Sequence, residues 1–394
     1  MNEKILTGEV QQFIEAHGDD DPVRLVLKGG ELAGVPMKEV AEQITSRKKL
    51  LDKCPRWVST PAIYFPPPLS VEQCSSEATA AFKASLFSGD VLVDLTGGLG
   101  IDDDAFSRVY KKVIYVEQEE TLCELARHNF KTLGLDNISV TCSRAEKYVD
   151  TVPPGADVFI DPSRRAEGKK VYRLGDCQPE VAGLVPLLLD KGCRVLVKAA
   201  PLLDIKQGLE ELPGTSRVYV VAVDNECKEV LFLLEKNAVA EPTIHAINLT
   251  RKGQAQFVFT YREEQITSPE FSTPLQYIYE PNSALLKAGA FKLAGNRYGL
   301  AKLHASTHLY TSGKIVTDFP GRVFLLKGVL KVQKKEVQKV LPTGRANVFT
   351  RNFPLSATQL RDRLGLLDGG REYLCGITDT GDRKVLLWLE RAYL

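Results

Sequence analysis

The chain has 394 residues and a formal net charge of +1, with 44% hydrophobic and 26% charged residues, a globular balance with room for two or three domains. No apolar run is long enough to cross a bilayer and the start MNEKILTGEV lacks the apolar core of a secretory signal, so neither a membrane protein nor an exported one is expected. Eight scattered cysteines form no C-x-x-C pair, which fits reduced thiols in a cytoplasmic protein rather than a disulfide frame or a zinc site.

Residues 1–88 read mainly as helices. Val10, Phe13 and Ile14 recur at helical spacing within Gly8–His17, as do Met37, Val40, Ala41 and Ile44 within Pro36–Lys53, where Pro36 suits a helix start. Arg47, Lys48, Lys49, Lys53 and Arg56 form a basic patch ending near Trp57, either a nucleic-acid contact or the solvated face of a helix. Pro61, Pro66, Pro67 and Pro68 make Ser59–Ser70 an extended connector. From Ser70 another helix is expected, with Ala78, Ala81, Phe82 and Leu86 on one face and Gln73, Ser75, Ser76 and Thr79 near its polar start, where they are candidates to close over a ligand and capping explains the serines equally well.

Val91–Glu117 reads as strand, glycine loop, helix, strand. Val91–Leu95 is apolar apart from Asp94, and Thr96-Gly97-Gly98-Leu99-Gly100 lets the chain turn tightly and a backbone approach a ligand. A helix over 103–110 and the apolar run Val113–Val116 lead to Glu117, placed about 20 positions on, where doubly wound sheets hold nucleoside hydroxyls. A dinucleotide fingerprint would need a third glycine where Asp103 stands, and an acidic helix start repels a pyrophosphate. The pattern D-x-x-x-G-x-G-x-D, formed by Asp94, Gly98, Gly100 and Asp102, instead resembles motif I of the class I S-adenosylmethionine-dependent methyltransferases. The resemblance implies S-adenosylmethionine as cofactor. Asp94 would lie near its cationic or amino-acid end, Thr96, Gly98, Gly100 and Asp102 around it, and Glu117 would accept both ribose hydroxyls. Taken alone, the same residues could also shape a turn with solvated carboxylates.

The alternation continues with a helix at 121–133, strands at 138–142 and 156–161, a helix at 179–190, a strand at 193–198 and a helix at 204–212. Two last strands, 217–223 and 229–234, are joined only by Asp224–Lys228, which permits a hairpin and no crossover helix. A parallel sheet finished by an antiparallel hairpin matches the Rossmann-like α/β fold of class I methyltransferases over residues 89–240. Past the third strand, Ser143 and Ala145 stand where that family sets an aspartate and a small residue against adenine. The aspartate is absent, which leaves Ser143 or a backbone carbonyl for the adenine amine.

In that fold the end of the fourth strand faces the methyl group, so Asp161-Pro162-Ser163-Arg164-Arg165 is the expected acceptor loop. Asp161 and Pro162 match the Asp/Asn-Pro-Pro-aromatic motif of enzymes that methylate amines of bases, in which the carboxylate and the next carbonyl accept from the amine. Ser163 and Arg164 depart from it and remove the aromatic stacking partner. Arg164 and Arg165, extended by Lys169, Lys170 and Arg173, suit phosphate contacts or guanidinium stacking on a base. Alternatively, Asp161 caps the turn and pairs with one arginine. Cys177 lies beyond the loop but outside the Pro-Cys or Thr-Cys setting of a carbon-methylating nucleophile. His304 and His308 are four apart and could share a helix face, but no carboxylate accompanies them, so no metal is expected.

Residues 1–240 carry 29 Lys and Arg against 37 Asp and Glu, a net of −8, while 241–394 carry 22 against 13, a net of +9. A basic module behind an acidic one suits a polyanionic substrate, although a solvated basic face explains the charge as well. A helix starting at Glu280 within Tyr279–Gly289, a basic strand at 323–332, a strand at 347–351, a helix at 356–364 and a hairpin of 373–378 with 384–390 make a small α+β module. It is similar to the THUMP-like tail of a group of bacterial methyltransferases, and THUMP modules imply RNA, mainly tRNA. The expected organisation is a helical front (1–88), a methyltransferase domain (89–240) and a basic α+β domain (241–394). The expected activity is methylation of a base of structured RNA, tRNA or rRNA, with an amine nitrogen as one acceptor. A small-molecule or protein substrate, or a non-catalytic RNA-binding protein that keeps the fold, remains an open alternative.

Overall fold

Seven strands frame the first part of the chain: β1 (Val91–Asp94), β2 (Lys112–Glu117), β3 (Ile138–Cys142), β4 (Asp157–Ile160), β5 (Arg194–Ala199), β6 (Thr215–Val223) and β7 (Glu226–Leu234). Within the sheet they run in the order β6-β7-β5-β4-β1-β2-β3; β1 to β5 are parallel and β7 is antiparallel to β5. Leu92, Val93, Val113, Val158, Val195 and Leu196 are fully buried, as parallel strands covered on both faces require. Each such side chain contributes about 1.5–3 kcal/mol of apolar burial. Strand order reverses between β1 and β4, which opens a crevice at the carboxyl ends of the strands. This is the Rossmann-like methyltransferase sheet that the sequence led us to expect.

The computed structural model describes residues 1–164, 173–238 and 241–392. They divide into two units, Met1–Val218 with Glu229–Ala240, and Tyr219–Lys228 with Glu241–Leu394. Helices α1 (Glu77–Ser85), α2 (Ile101–Ser107), α3 (Glu120–Thr132), α4 (Val181–Asp190) and α5 (Ile205–Glu211) belong to the first. No helix among the described residues is long and apolar enough to cross a membrane.

The front of the first unit packs Ile5, Val10, Ile14, Val35, Val40 and Ile44 into one cluster. The proline-rich connector is shorter than expected: Ser59 ends one helix, Pro68 begins another, and between them side-chain amides satisfy the backbone of Tyr64 and Phe65. Gln43 donates to the Phe65 carbonyl at 2.7 Å and accepts from the Phe65 N–H at 2.9 Å, while Asn129 on α3 does the same for Tyr64 at 2.9 Å each way. The helix expected from Ser70 is two: Pro68–Gln73, a break, then α1, which starts where Ser76 and Thr79 close a capping box. The basic patch also reads differently in three dimensions. Trp57 is buried and donates to Asp104 Oδ2 at 2.8 Å, Arg56 binds the same carboxylate, Lys49 pairs with Glu72, and Lys53 donates to the carbonyls of Val71, Glu72 and Cys74. Intramolecular partners therefore take up much of the patch.

The second unit carries a sheet in the order Ala301–Lys302, Tyr310–Ser312, Tyr277–Pro281, Gly321–Lys331, Lys384–Arg391, Glu372–Thr378, Asn347–Arg351. Helices Lys334–Val340 and Ala357–Leu364 supply Val337, Leu360 and Leu364 to a cluster with Leu374 and Leu386 of the sheet. The expected helix start at Glu280 is a correction: Glu280 lies on a strand and the helix spans Ser283–Ala288, capped by Asn282. Glu280 is buried because Arg322 Nε, 2.5 Å from Oε2, and Arg351, 2.6 Å from Oε1, neutralise it. His304 and His308 share no helix. His304 Nε2 lies 3.1 Å from Asp382, while His308 stacks on Phe291 at 3.6 Å, where burial and then Lys302 and Arg351 push it down to about 4.

Candidate active site

The glycine loop owes its shape to two aromatic rings. A Cβ on Gly97 would stand 2.2 Å from the Tyr115 ring, and one on Gly100, at φ +81°, would stand 2.4 Å from Phe130. Tyr115 also donates to the Gly98 carbonyl at 2.7 Å. Gly98 differs: φ is +54°, and a Cβ there meets only the Thr96 carbonyl, at 3.7 Å. Its N–H donates to Glu117 Oε2 at 3.0 Å, and Glu117 Oε1 accepts from the Glu119 N–H at 2.9 Å. Thus Gly97 and Gly100 admit rings, and Gly98 keeps the loop's open side clear beside a carboxylate.

Three consecutive aspartates begin α2, where the helix dipole favours negative charge, yet they face different partners. Asp104 is held by Arg56, Trp57 and Arg108. Asp102 accepts from Ser75 Oγ at 2.7 Å and has Lys83 Nζ 3.1 Å from Oδ1. That contact is an ion pair without hydrogen-bond alignment. Asp103 is fully buried and packs against Asp94. Asp94 is also buried, with Oδ1 accepting from Thr96 N–H at 2.8 Å and Thr96 Oγ1 at 3.1 Å. Burial first, then the carboxylates of Asp102 and Asp161, push Asp94 up to about 8 against the Thr96 hydrogen bonds. Burial, then Asp94 and Asp102, hold Asp103 well above the usual aspartate range.

Asp161 follows β4. Its N–H donates to Thr96 Oγ1 at 2.7 Å, which ties it to the glycine loop, and Lys198 Nζ on β5 sits 2.5 Å from Asp161 Oδ2. Among the described residues the cation paired with Asp161 is Lys198. Burial opposes the charge on Lys198, but Asp161, Glu229 and Asp102 outweigh it and hold the lysine above its ordinary range. Glu229 on β7 is buried between two lysines: burial raises its pKa while Lys83 and Lys198 pull it down. Lys83 Nζ, itself fully buried, donates to Glu229 Oε2 at 3.0 Å and to Ser75 Oγ at 2.9 Å. A run of alternating charges thus links Asp161 through Lys198, Glu229 and Lys83 to Asp102.

Ser143 Oγ donates to its neighbour's carbonyl, on Arg144, at 3.3 Å, and Ala145 is buried at the start of a short helix. Pro162 is half-buried and Ser163 exposed, with Ser163 and Arg164 laddered to Gln178 and Cys177. Arg165, Lys169 and Lys170 lie outside the described residues, as does the side chain of Arg164. Cys177 is buried. Among the described residues, no group of three or more His, Cys, Asp or Glu is arranged to hold a metal ion.

Sequence reasoning passed over Lys83, Lys198, Glu229 and Tyr115. The signal was present: a lysine inside the apolar run RVLVKA and a glutamate opening EVLFLL are charges that a buried strand tolerates only in pairs.

The residues fit S-adenosylmethionine: Gly98 leaves room for a ligand against the loop, Glu117 offers a carboxylate beside it, and the buried carboxyl oxygens of Asp103 have no partner among the described residues. Residues 277–320 match a ferredoxin-like domain model and residues 321–391 a THUMP domain-like model. A crystal structure of a Porphyromonas gingivalis W83 protein assigned as a methyltransferase is 34% identical, with a TM-score of 0.87 over 100% of this chain and 99% of that one. An uncharacterized S-adenosylmethionine-dependent methyltransferase of Mycobacterium tuberculosis, curated from strains CDC 1551 / Oshkosh and H37Rv, is 25% identical over 79% of this chain and 84% of its own length. With that sheet, that loop and those relatives, the chain belongs to the S-adenosylmethionine-dependent methyltransferases that carry a THUMP-like C-terminal domain.

Proposed function

We propose that the enzyme methylates a base of structured RNA, tRNA or rRNA, at an exocyclic amine. The observation that carries this reading is Asp161: its backbone is tied to the cofactor loop through Thr96, and Lys198 occupies Oδ2. Among the described residues no donor is bound to the other carboxylate oxygen, which can accept from a donor group, and an amine N–H is such a group. Accepting from the amine aims its lone pair away from the carboxylate, toward the methyl. Bound S-adenosylmethionine would supply that methyl on a sulfonium and leave as the neutral thioether, while the amine nitrogen would gain the methyl and give up one N–H proton to solvent. Alignment and exclusion of water are what the chain adds.

In this reading Asp94, Thr96, Gly98, Gly100, Asp102 and Glu117 hold the cofactor, with Ser143 and Ala145 beside adenine. Asp161 and Pro162 orient the acceptor, with Ser163 next in the loop, and the role of positioning it falls to Arg164 or Arg165, whose side chains lie outside the described residues. RNA is favoured by the THUMP-like match and by the exposed Lys331, Lys334 and Lys335 on the same segment. Work in the cytoplasm follows from an RNA substrate of this kind.

The test is transfer of labelled methyl from S-adenosylmethionine to fractionated RNA, protein and small-molecule pools, with wild type and Asp161→Ala. Label in RNA that vanishes in the variant is the expected result. Label only in protein or small molecules overturns the RNA assignment, and equal labelling by both forms overturns the role of Asp161.

A further inference from the structure

Among the described residues, Asp103 is the one aspartate of the three at the start of α2 whose side chain finds no partner cation. It is fully buried, and neither carboxyl oxygen meets a donor among the described residues beyond its own peptide N–H. What it does meet is the side chain of Asp94. Two carboxylates cannot hydrogen-bond to one another, and two carboxyl groups can if one of them keeps a proton. The nearby cations are engaged elsewhere, Lys83 with Asp102 and Glu229, and Lys198 with Asp161. Other titratable groups facing the pair are Asp102 on the same helix, Asp161 past β4 and the Tyr115 phenol on β2. None of these brings positive charge.

We propose that Asp94 and Asp103 share one proton beneath the glycine loop, that cationic S-adenosylmethionine displaces it to solvent on binding, and that S-adenosylhomocysteine, which lacks the sulfonium charge, displaces less of it. The pair then acts as a counter-charge for the incoming cofactor and regains its proton as the spent one leaves. This makes Asp103 a specificity residue for substrate over product, acting through Asp94. The proposal rests on the cofactor-site reading above and is independent of the methyl acceptor.

The test is titration calorimetry of the full chain with S-adenosylmethionine and with S-adenosylhomocysteine at pH 7, in phosphate and in Tris, whose ionisation enthalpies differ. Wild type is expected to release about half to one proton per S-adenosylmethionine and clearly less per S-adenosylhomocysteine. S-adenosylmethionine affinity should rise, by at most about tenfold per pH unit, from pH 6 to 8 and level off above, with a flatter profile for the product. In Asp103→Asn, whose amide can donate to Asp94 as the shared proton does, release on S-adenosylmethionine binding should drop by at least half. Binding of both ligands to wild type with equal or no proton release overturns the proposal and needs no variant. Failure of either ligand to bind overturns the cofactor-site reading as well.

Discussion

Lys198 Nζ lies 2.5 Å from Asp161 Oδ2, joining the fifth strand of the sheet to the end of the fourth, the place we propose for the acceptor. Removing the ammonium frees the carboxylate to rotate without touching the cofactor loop. Lys198→Met should lower methyl transfer by about 10–100-fold, the cost of misplacing a reacting group by about an ångström, while cofactor affinity stays within about threefold. Lys198→Arg should recover part of the rate. Single-turnover rates on the labelled pool, beside calorimetric affinities, check this; a parallel fall in affinity would assign Lys198 to the cofactor instead.

Glu117 binds the Gly98 N–H and sits at the end of β2. Hydrogen bonds to a charged group contribute about 1.5–3 kcal/mol each. Glu117→Ala should therefore weaken S-adenosylmethionine by at least about tenfold, measured by calorimetry, with a smaller effect on melting temperature.

Asp94 is pushed up to about 8 and Asp103 well above its usual range, so the folded pair retains a proton that the unfolded chain releases near pH 4. A raised pKa gives stability that is present below the unfolded value and lost as pH climbs through the folded one. Without ligand, the protein should lose up to about 1.4 kcal/mol per pH unit for each retained proton between pH 6 and 8. Asp103→Asn should flatten that slope, and urea unfolding across this range checks both. A wild-type slope equal to the variant's would remove the retained proton.

Gly97 and Gly98 are adjacent and should fail differently. Gly97→Ala drives a methyl into the Tyr115 ring and should cost about 1–3 kcal/mol, seen as a lower urea midpoint at unchanged m-value. Gly98→Ala meets no side chain and bears only the strain of its positive φ, about 1–2 kcal/mol, so its larger effect should fall on cofactor affinity.

The sheet was legible because buried parallel strands leave apolar runs that only a few spacings can join, and Ile138–Cys142 and Asn347–Arg351 have the bounds expected of them. The reasons for the glycines were less so: nothing local in the sequence shows that Phe130, 30 residues on from Gly100, leaves no room for a side chain there. Tyr279–Gly289 misled for a similar reason. Apolar residues at Leu285, Leu286 and Ala288 signal the helix, but Glu280 owes its strand to pairing with residue 322, beyond the reach of any local pattern. Residues 243–259 went unread, although they form two paired antiparallel strands.

The hairpin tip Tyr219–Lys228 groups with the second unit, while the strands that lead into and out of it belong partly to the first. The polypeptide therefore enters the second unit, returns, and enters it again after residue 240. Such a tail is not an appendage that one recombination event could attach or discard. Exchange by a single crossover at residue 240 would leave ten residues of the second unit behind on the wrong parent, so the two units are expected to have been inherited together.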